Sequence, residues 1–364
     1  MTPPPERVPL GSGRSDASRR FIDGSYGEGG GQLLRTAVAL SALTGIPVSM
    51  HSIRSRRNPP GLAPQHLAAV RAAAALCGAR CEGLALRSTE IAFTPARLAG
   101  GEFNFEVGTA GSVVLVLQAL LPVMAATQAR YRLTVTGGTD LRAAPPLDYL
   151  REVVLSLLAR MGGHIGLVAH RRGYYPRGGG IVEATSEPAD LRPLQLSAPG
   201  RLLGISGLAH VANLPAQIAE RMRTSALAPL AGIPVSAACG TSVLGRDAAT
   251  GRGGAVVLWA HHEHTVLGAG RVAERGIPAE ILGAAAGTEL AADLACGATL
   301  DRHAADQMLI YCALARGESR FLVRELTAHA LTAMWLLDQF LPVRFTVNQH
   351  PAGVRVTVTS EGRT

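Results

Sequence analysis

Lysine is absent from the 364 residues, so every one of the 35 basic side chains is an arginine. Base composition alone can empty a sequence of lysine, so its absence acts as a constraint on the chemistry. It excludes a Walker A phosphate loop, whose lysine reaches the phosphates. It also excludes Schiff-base and pyridoxal-phosphate catalysis and a lysine-adenylate ligase. Aromatic residues make up 4% of the chain, and there are five cysteines, an odd number. That argues against a disulfide framework and for a reducing, cytoplasmic compartment. No run of 18 apolar residues occurs. The best stretch, 112–126, is broken by Gln118 and Pro122, so no membrane association is expected. The first 19 residues lack the apolar segment of a signal peptide and read as a disordered tail.

Apolar residues make up 47% of the chain, enough for a sizeable core, and the length suits roughly two domains. The net charge of +8 is carried on guanidinium groups that stay charged at any physiological pH. Such a surface suits phosphate or nucleic-acid ligands. From Phe21 on, glycine turns, amphipathic helices and β-branched strands alternate. Helices are expected over 32–44, 64–77, 113–127, 146–161, 302–315 and 328–340, and strands over 46–53, 131–136, 343–347 and 354–359. A unit of two strands and two helices used about three times gives α+β layers. Residues 201–297 differ in character. Strands at 204–212, 234–238 and 254–264 with helices at 215–228 and 278–296 read as a small inserted domain.

Four segments can carry chemistry. In Asp23-Gly24-Ser25-Tyr26-Gly27-Glu28-Gly29-Gly30-Gly31-Gln32, glycines ahead of a helix let backbone N–H groups approach a phosphate. It is not the dinucleotide fingerprint, because Gln32 stands where the third glycine belongs. Glu28 makes sense there as a ligand holding Mg²⁺ against phosphates, or as a turn carboxylate favoured by the helix dipole. Arg54, Arg56 and Arg57 leave a strand and meet the rigid Asn58-Pro59-Pro60-Gly61 turn, either as a phosphate-binding loop or as a solvated charge run. Arg172-Gly173-Tyr174-Tyr175-Pro176-Arg177-Gly178-Gly179-Gly180 reads as a structural corner entering a strand. His329 falls in the first turn of a helix capped by Thr327, either as a structural histidine, the commoner use of a lone one, or as a nucleophile whose imidazole the dipole keeps neutral.

Two segments mimic metal sites. His261-His262-Glu263-His264 continues a strand, where alternate side chains point to opposite faces, so only His262 and His264 share a side. Cys77 and Cys81 lack a second pair at zinc spacing, and Cys77 reads as a helix-end core residue.

Taken together the segments resemble the RNA 3'-terminal phosphate cyclase family. The most specific match is 172–182: Arg or His, Gly, two variable residues, Pro, one variable residue, three glycines. Supporting it in family order are 27–35, the Arg54/Arg57 loop with Gln65-His66, 108–118, Gly137-Gly138-Thr139-Asp140, Ala305-Asp306-Gln307 and 329–342. Together they span nearly all of 21–358. The resemblance implies three βαβαββ repeats, akin to the enolpyruvyl transferases, with a small α/β insertion. The large domain would comprise 20–198 and 300–364, and the insertion 199–299.

It also implies ATP-dependent adenylylation of a histidine, transfer of AMP to an RNA 3'-phosphate, and attack by the vicinal 2'-hydroxyl to give a 2',3'-cyclic phosphate. Carried onto this chain, His329 would be the nucleophile and Glu28 would hold a divalent metal, Mg²⁺ or Mn²⁺. Arg35, Arg54 and Arg57 would neutralise phosphate charge. Gln65 and Gln118 would contact substrate or nucleotide. His303, Ala304, Ala305, Asp306 and Gln307 would line the ATP site, with Pro146 near the adenine. Three residues depart from the family pattern: Pro59 stands for a usual lysine, Pro64 for a basic residue and His303 for an aromatic. The partner would be an RNA with a 3'-phosphate end; monomer and homodimer both stay open. Two other readings compete: a non-catalytic cyclase-like RNA-binding protein of ribosome assembly, and an enolpyruvyl transferase. The first would lack His329, and the second would need lysines.

Overall fold

In the computed structural model, residues 19–362 are described, so all of the expected tail but Arg19 lies outside the described residues. Mixed α+β layers form as expected. Strand β1 (Arg20–Asp23) leads into helix α1 (Gly31–Thr44), then β2 (Val48–His51), α2 (Pro64–Cys77), β3 (Arg80–Glu82) and β4 (Ile91–Thr94). The strands pair in the order β1-β2-β4-β3, with β1 parallel to β2 and the other pairs antiparallel. The next stretch has the same sequence of elements: β5 (Gly101–Glu106), α3 (Val113–Ala125), β6 (Tyr131–Gly137), a helical segment, β7 (Ile165–Gly173) and β8 (Gly180–Ser186). Its sheet again runs β5-β6-β8-β7. The helical segment is expected as one helix over 146–161. It starts as α4 (Leu147–Tyr149), widens into a π-turn at Leu150–Val154, and resumes as α5 (Leu155–Arg160).

Each stretch thus holds four strands, where the expected unit holds two. The extra strands are short or half-exposed: β5 reads Gly-Glu-Phe-Asn-Phe-Glu and buries no residue fully. The expected strand over 46–53 narrows to Val48–His51, because Ser52 and Arg54 take positive φ.

Residues 202–296 build a separate sheet, β9 (Leu202–Ala212), β10 (Ala237–Leu244), β12 (Gly253–His262) and β13 (Val266–Val272), in the order β10-β9-β12-β13. The two-residue strand β11 (Ala249–Thr250) instead extends the β7 edge. Helices α6 (Ala216–Leu227) and α7 (Ala279–Cys296) pack on the sheet over their own core, which includes Met222, Leu258, Leu282 and Leu290. Two expectations shift here. The strand assigned to 234–238 begins only at Ala237, since Pro234 cannot donate to a ladder. The strand assigned to 254–264 stops at His262, where the His262 N–H donates to Thr265 O and the chain returns as β13.

The chain then re-enters the larger body through α8 (Arg302–Leu314), β14 (Gly317–Val323), α9 (Ala328–Phe340), β15 (Val343–His350) and β16 (Gly353–Ser360). These strands order β14-β16-β15, and Gln195 adds a parallel bridge to Arg320 of β14. One continuous core joins α1, α2, α3, α8 and α9 to the three sheets. Cys77 is fully buried in it at the end of α2, as expected. Each fully buried Leu or Val there is worth about 1.5–3 kcal/mol over its exposed state. All five cysteines are free, and no described helix is long and apolar enough to cross a membrane.

Candidate active site

The N-terminal ends of α1, α2, α8 and α9 converge on a cleft of about 690 Å³, closed on its far side by β13 and α7 of the 202–296 body. Its walls carry Glu28, Arg35, Arg54, Arg57, Gln65, Gln118, Pro146, His303, Asp306, Gln307 and His329, eleven of the thirteen residues singled out above. Ala304 and Ala305 lie elsewhere. Both point into the core beneath α8, so they shape the helix under the cleft and do not line it.

Local sequence explains how each side chain gets there. The Thr327 hydroxyl accepts from the Ala330 N–H at 3.0 Å, capping α9 and leaving His329 in its first turn. Asp301 caps α8 by accepting from the His303 and Ala304 N–H groups. Every residue of α3 is buried except Gln118, the one polar position on that helix, and it faces the cleft. Gly27 adopts φ 58°, and a side chain there would run into the Thr332 hydroxyl. Gly31 likewise leaves room for the His66 ring, which a β-carbon would strike.

Polar side chains form a chain across the cleft floor. Arg35 Nη2 donates to Gln118 Oε1 at 3.1 Å, Gln118 Nε2 donates to Gln307 Oε1 at 2.9 Å, and Gln307 Nε2 donates to the His303 carbonyl at 3.2 Å. Gln65 Oε1 accepts from the Ser112 N–H at 3.1 Å. Arg54 Nη1 donates to the Gly61 carbonyl at 2.6 Å, which ties the Pro-Pro-Gly turn to the guanidinium. Arg57 forms an ion pair with Glu28, whose other oxygen lies 3.7 Å from His329 Nδ1.

Charge in the cleft is unbalanced. Among the described residues neither Arg35 nor Arg54 has a carboxylate partner, although both are desolvated. Burial pulls Arg35 down to about 10 and lowers Arg54 as well, and the buried Arg35 Nε has no hydrogen-bond partner. Two dehydrated cations lining a cavity fit an anion with several oxygens, as a polyphosphate is. His66 is held neutral, at about 3, by burial and then by Arg35 and Arg54; its Nδ1 accepts from the Ala63 N–H. His329 is also shifted below the ordinary histidine range. Burial is the largest cause; Arg35 and Arg57 add to it while Asp306 opposes it. Asp306 is pushed up to about 6 by burial, although it accepts from the Thr327 hydroxyl at 2.6 Å. The site therefore pairs a neutral imidazole with unpaired guanidiniums and two nearby carboxylates, Glu28 and Asp306.

His303 does more than line the wall. Its Nε2 lies 3.2 Å from Glu289 Oε1, and its ring meets Tyr149 edge-on with centroids 6.4 Å apart. Burial pulls its pKa down, but the Glu289 hydrogen bond and nearby carboxylates raise it overall. Arg271 and Arg302 also pair with Glu289. Arg271 and Glu274 bring the 202–296 segment into the cleft wall. Sequence reading gave neither of them a role, because only the packing of β13 against Pro146 brings them near.

Among the described residues, one group of His, Cys, Asp or Glu side chains has metal-like spacing: Asp140, Asp148 and His210, with ligand atoms within 4.8 Å of one another. It lies apart from Glu28, and an arginine already fills it. Arg172 Nη1 donates to Asp140 Oδ2 at 2.9 Å, and Nη2 donates to both Asp148 oxygens at 2.7 and 2.8 Å. Asp140 also accepts from Leu147 N–H and Thr139 Oγ1, and Arg151 pairs with Asp148. The first residue of the 172–182 signature is thus the central cation of a buried ion cluster that joins the large body to His210 of β9. The His262 ring of the histidine run turns to the Gly200 carbonyl at 3.1 Å.

A family model described as RNA 3'-terminal phosphate cyclase matches residues 26–347. A protein of that name from Nitrosospira multiformis is 57% identical over 93% of this chain and 96% of its own length. Those from Pyrobaculum neutrophilum and Hyperthermus butylicus are each 46% identical, covering 94% and 88% of this chain and 98% and 91% of theirs. With a cleft of this composition and matches that run through all of its walls, the chain belongs to the RNA 3'-terminal phosphate cyclase family.

Proposed function

We propose that this protein uses ATP to convert an RNA 3'-phosphate end to a 2',3'-cyclic phosphate through an adenylate on His329. The observation that carries the reading is the His329 ring, neutral at physiological pH and beside Glu28, at the edge of a cleft with two unpaired arginines. Nδ1 faces the Glu28 carboxylate, which leaves the Nε2 lone pair for attack on the α-phosphorus of ATP. That P–N bond forms as the bond to the β-phosphate oxygen breaks and pyrophosphate leaves. An oxygen of the RNA 3'-phosphate then displaces His329 from the phosphorus. Finally the 2'-hydroxyl attacks the 3'-phosphorus, giving up its proton as AMP departs.

Arg35, Arg54 and Arg57 neutralise phosphate charge through these steps, and the Arg35–Gln118–Gln307 chain fixes their geometry. Glu28 would hold a divalent cation, which would supply further charge neutralisation at the phosphates. The fold reading that accompanies this is three βαβαββ units. The third draws its first strand from around Gln195, ahead of an insertion at 199–299, within a large domain of 20–198 and 300–364.

Mass spectrometry after incubation with ATP and Mg²⁺ tests the reading. A single AMP is expected on the peptide holding His329, absent in His329→Ala. AMP on another residue, or equal labelling of the variant, overturns it. RNA binding without AMP transfer would instead favour a non-catalytic RNA-binding role.

A further inference from the structure

Beside the cleft, helix α9 turns Ala328, Leu331 and Trp335 outward, and Leu331 is 55% exposed. The Tyr26 ring stacks on Trp335 with centroids 3.9 Å apart and planes 22° apart. Trp335 packs on the main core from its other side, so the phenol ring is the outer plate, 41% exposed. The pair is joined to the reaction centre twice. Tyr26 precedes Glu28 by two residues, and the Glu28 N–H donates to Thr332 Oγ1 of α9 at 3.1 Å. Trp335 follows His329 by six residues, a rise of about 9 Å along the helix.

Arginines flank the rings at both ends. Arg56 Nη1 donates to the Gly27 carbonyl at 3.4 Å, and Arg20 Nε donates to the Gln339 carbonyl at 2.5 Å, one turn past Trp335. Nearby Asp23 is turned into its own loop, accepting from Ser25 N–H and Oγ. An open aromatic face between guanidiniums matches the alternation of base and phosphate in a single strand of nucleic acid. Asp338, one turn on along α9, disfavours a path down the whole helix and directs the strand toward Arg56.

Resting on the cyclase reading, we propose that Tyr26, backed by Trp335, is the stacking platform for a base about one or two nucleotides upstream of the RNA's terminal phosphate. Every base has a π-face, so this contact would hold RNA ends of any sequence.

The test compares two readouts in Tyr26→Ala, Tyr26→Leu and Tyr26→Phe: AMP labelling of His329 without RNA, and cyclisation of a 3'-phosphorylated oligoribonucleotide. Labelling should match the parent in all three. The KM for RNA should rise roughly five- to a hundredfold in the Ala and Leu variants, the loss expected from one base–aromatic stack, and stay within about twofold in Tyr26→Phe. RNA made abasic at the second or third nucleotide from its end should impose the same loss on the parent and no further loss on Tyr26→Ala. A parental KM in Tyr26→Ala and Tyr26→Leu, or losses that simply add, overturns the platform. Failed labelling in Tyr26→Ala and Tyr26→Leu also overturns it, by assigning the ring to the Glu28 loop. If the parent takes no AMP, the cyclase reading fails instead, and the Kd of the same RNA measured by anisotropy still decides the platform.

Discussion

The backbone N–H of Glu28 donates to the Thr332 side-chain oxygen at 3.1 Å, and that hydroxyl in turn donates to the Ala328 carbonyl at 2.7 Å. A residue 304 positions away along the chain therefore locks the glycine loop onto the N-terminal end of the helix that bears His329. Thr332→Val keeps the volume and removes the acceptor, leaving the Glu28 N–H unsatisfied at a cost of about 1–3 kcal/mol. We expect AMP labelling to slow by about tenfold with a modest fall in melting temperature, and Thr332→Ser to recover both. Labelling at the parental rate in Thr332→Val would show that the bond holds nothing in register.

Adenylylation should keep its rate to a lower pH than an ordinary histidine allows. Burial, then Arg35 and Arg57, push the His329 pKa below 6.5, so the neutral ring persists as pH falls and the acid limb lies below that value. Arg57→Gln removes one of the lowering charges and should move the limb upward. Asp306→Asn removes the opposing charge and should move it downward. A pH profile of single-turnover labelling reads both shifts.

Asp306 makes the protein less stable at neutral pH than an uncharged residue would. Its folded pKa of about 6 exceeds the unfolded value of 3.8, so the folded state binds the extra proton between them. Stability from this group is present below about 4 and lost as pH rises through 6. Asp306→Asn, which can still accept from Thr327, should therefore melt higher than the parent at pH 8. The difference should shrink toward pH 4. A melting-temperature difference independent of pH would contradict the assignment.

Gln118 separates two effects in nucleotide binding. Gln118→Leu breaks the Arg35–Gln118–Gln307 chain and should weaken ATP binding about tenfold, the size of one hydrogen bond to a charged group. Gln118→Glu would hand Arg35 a carboxylate and so offset the charge that a polyphosphate meets. It should bind ATP more weakly than the Leu variant. Calorimetric titration ranks the three proteins, and the reverse order would mean that Arg35 does not face the phosphates.

The Arg172 cluster is structural. Arg172→Ala leaves Asp140 buried without its cation and Asp148 with Arg151 alone, which costs about 3–5 kcal/mol, so the denaturation midpoint should drop sharply. In the parent, Mg²⁺ or Mn²⁺ should not bind at this cluster, because Arg172 already occupies the place a metal would take.

Helix α9 and its cap were legible in the sequence to the residue, because Thr327, the apolar period and Pro342 act within a few turns of one another. The glycine loop, the Arg54/Arg57 turn and the core role of Cys77 were legible for the same local reason. Short half-exposed strands such as β5 were not, since a strand held by its neighbours needs no strong period of its own. Nor was the return of the chain after His262, which hydrogen bonds to the Thr265, Arg201 and Pro199 carbonyls fix. Ala304 and Ala305 share a motif with Asp306 and Gln307, yet a helix turns successive residues through about 100°, so the alanines face the core. By itself the sequence determined which chemical groups are present and which local elements carry them. Only the tertiary structure decided that Glu28 meets Thr332, that Gln118 meets Gln307, and that Tyr26 lies on Trp335, because such contacts depend on packing between distant segments and leave no periodic trace along the chain.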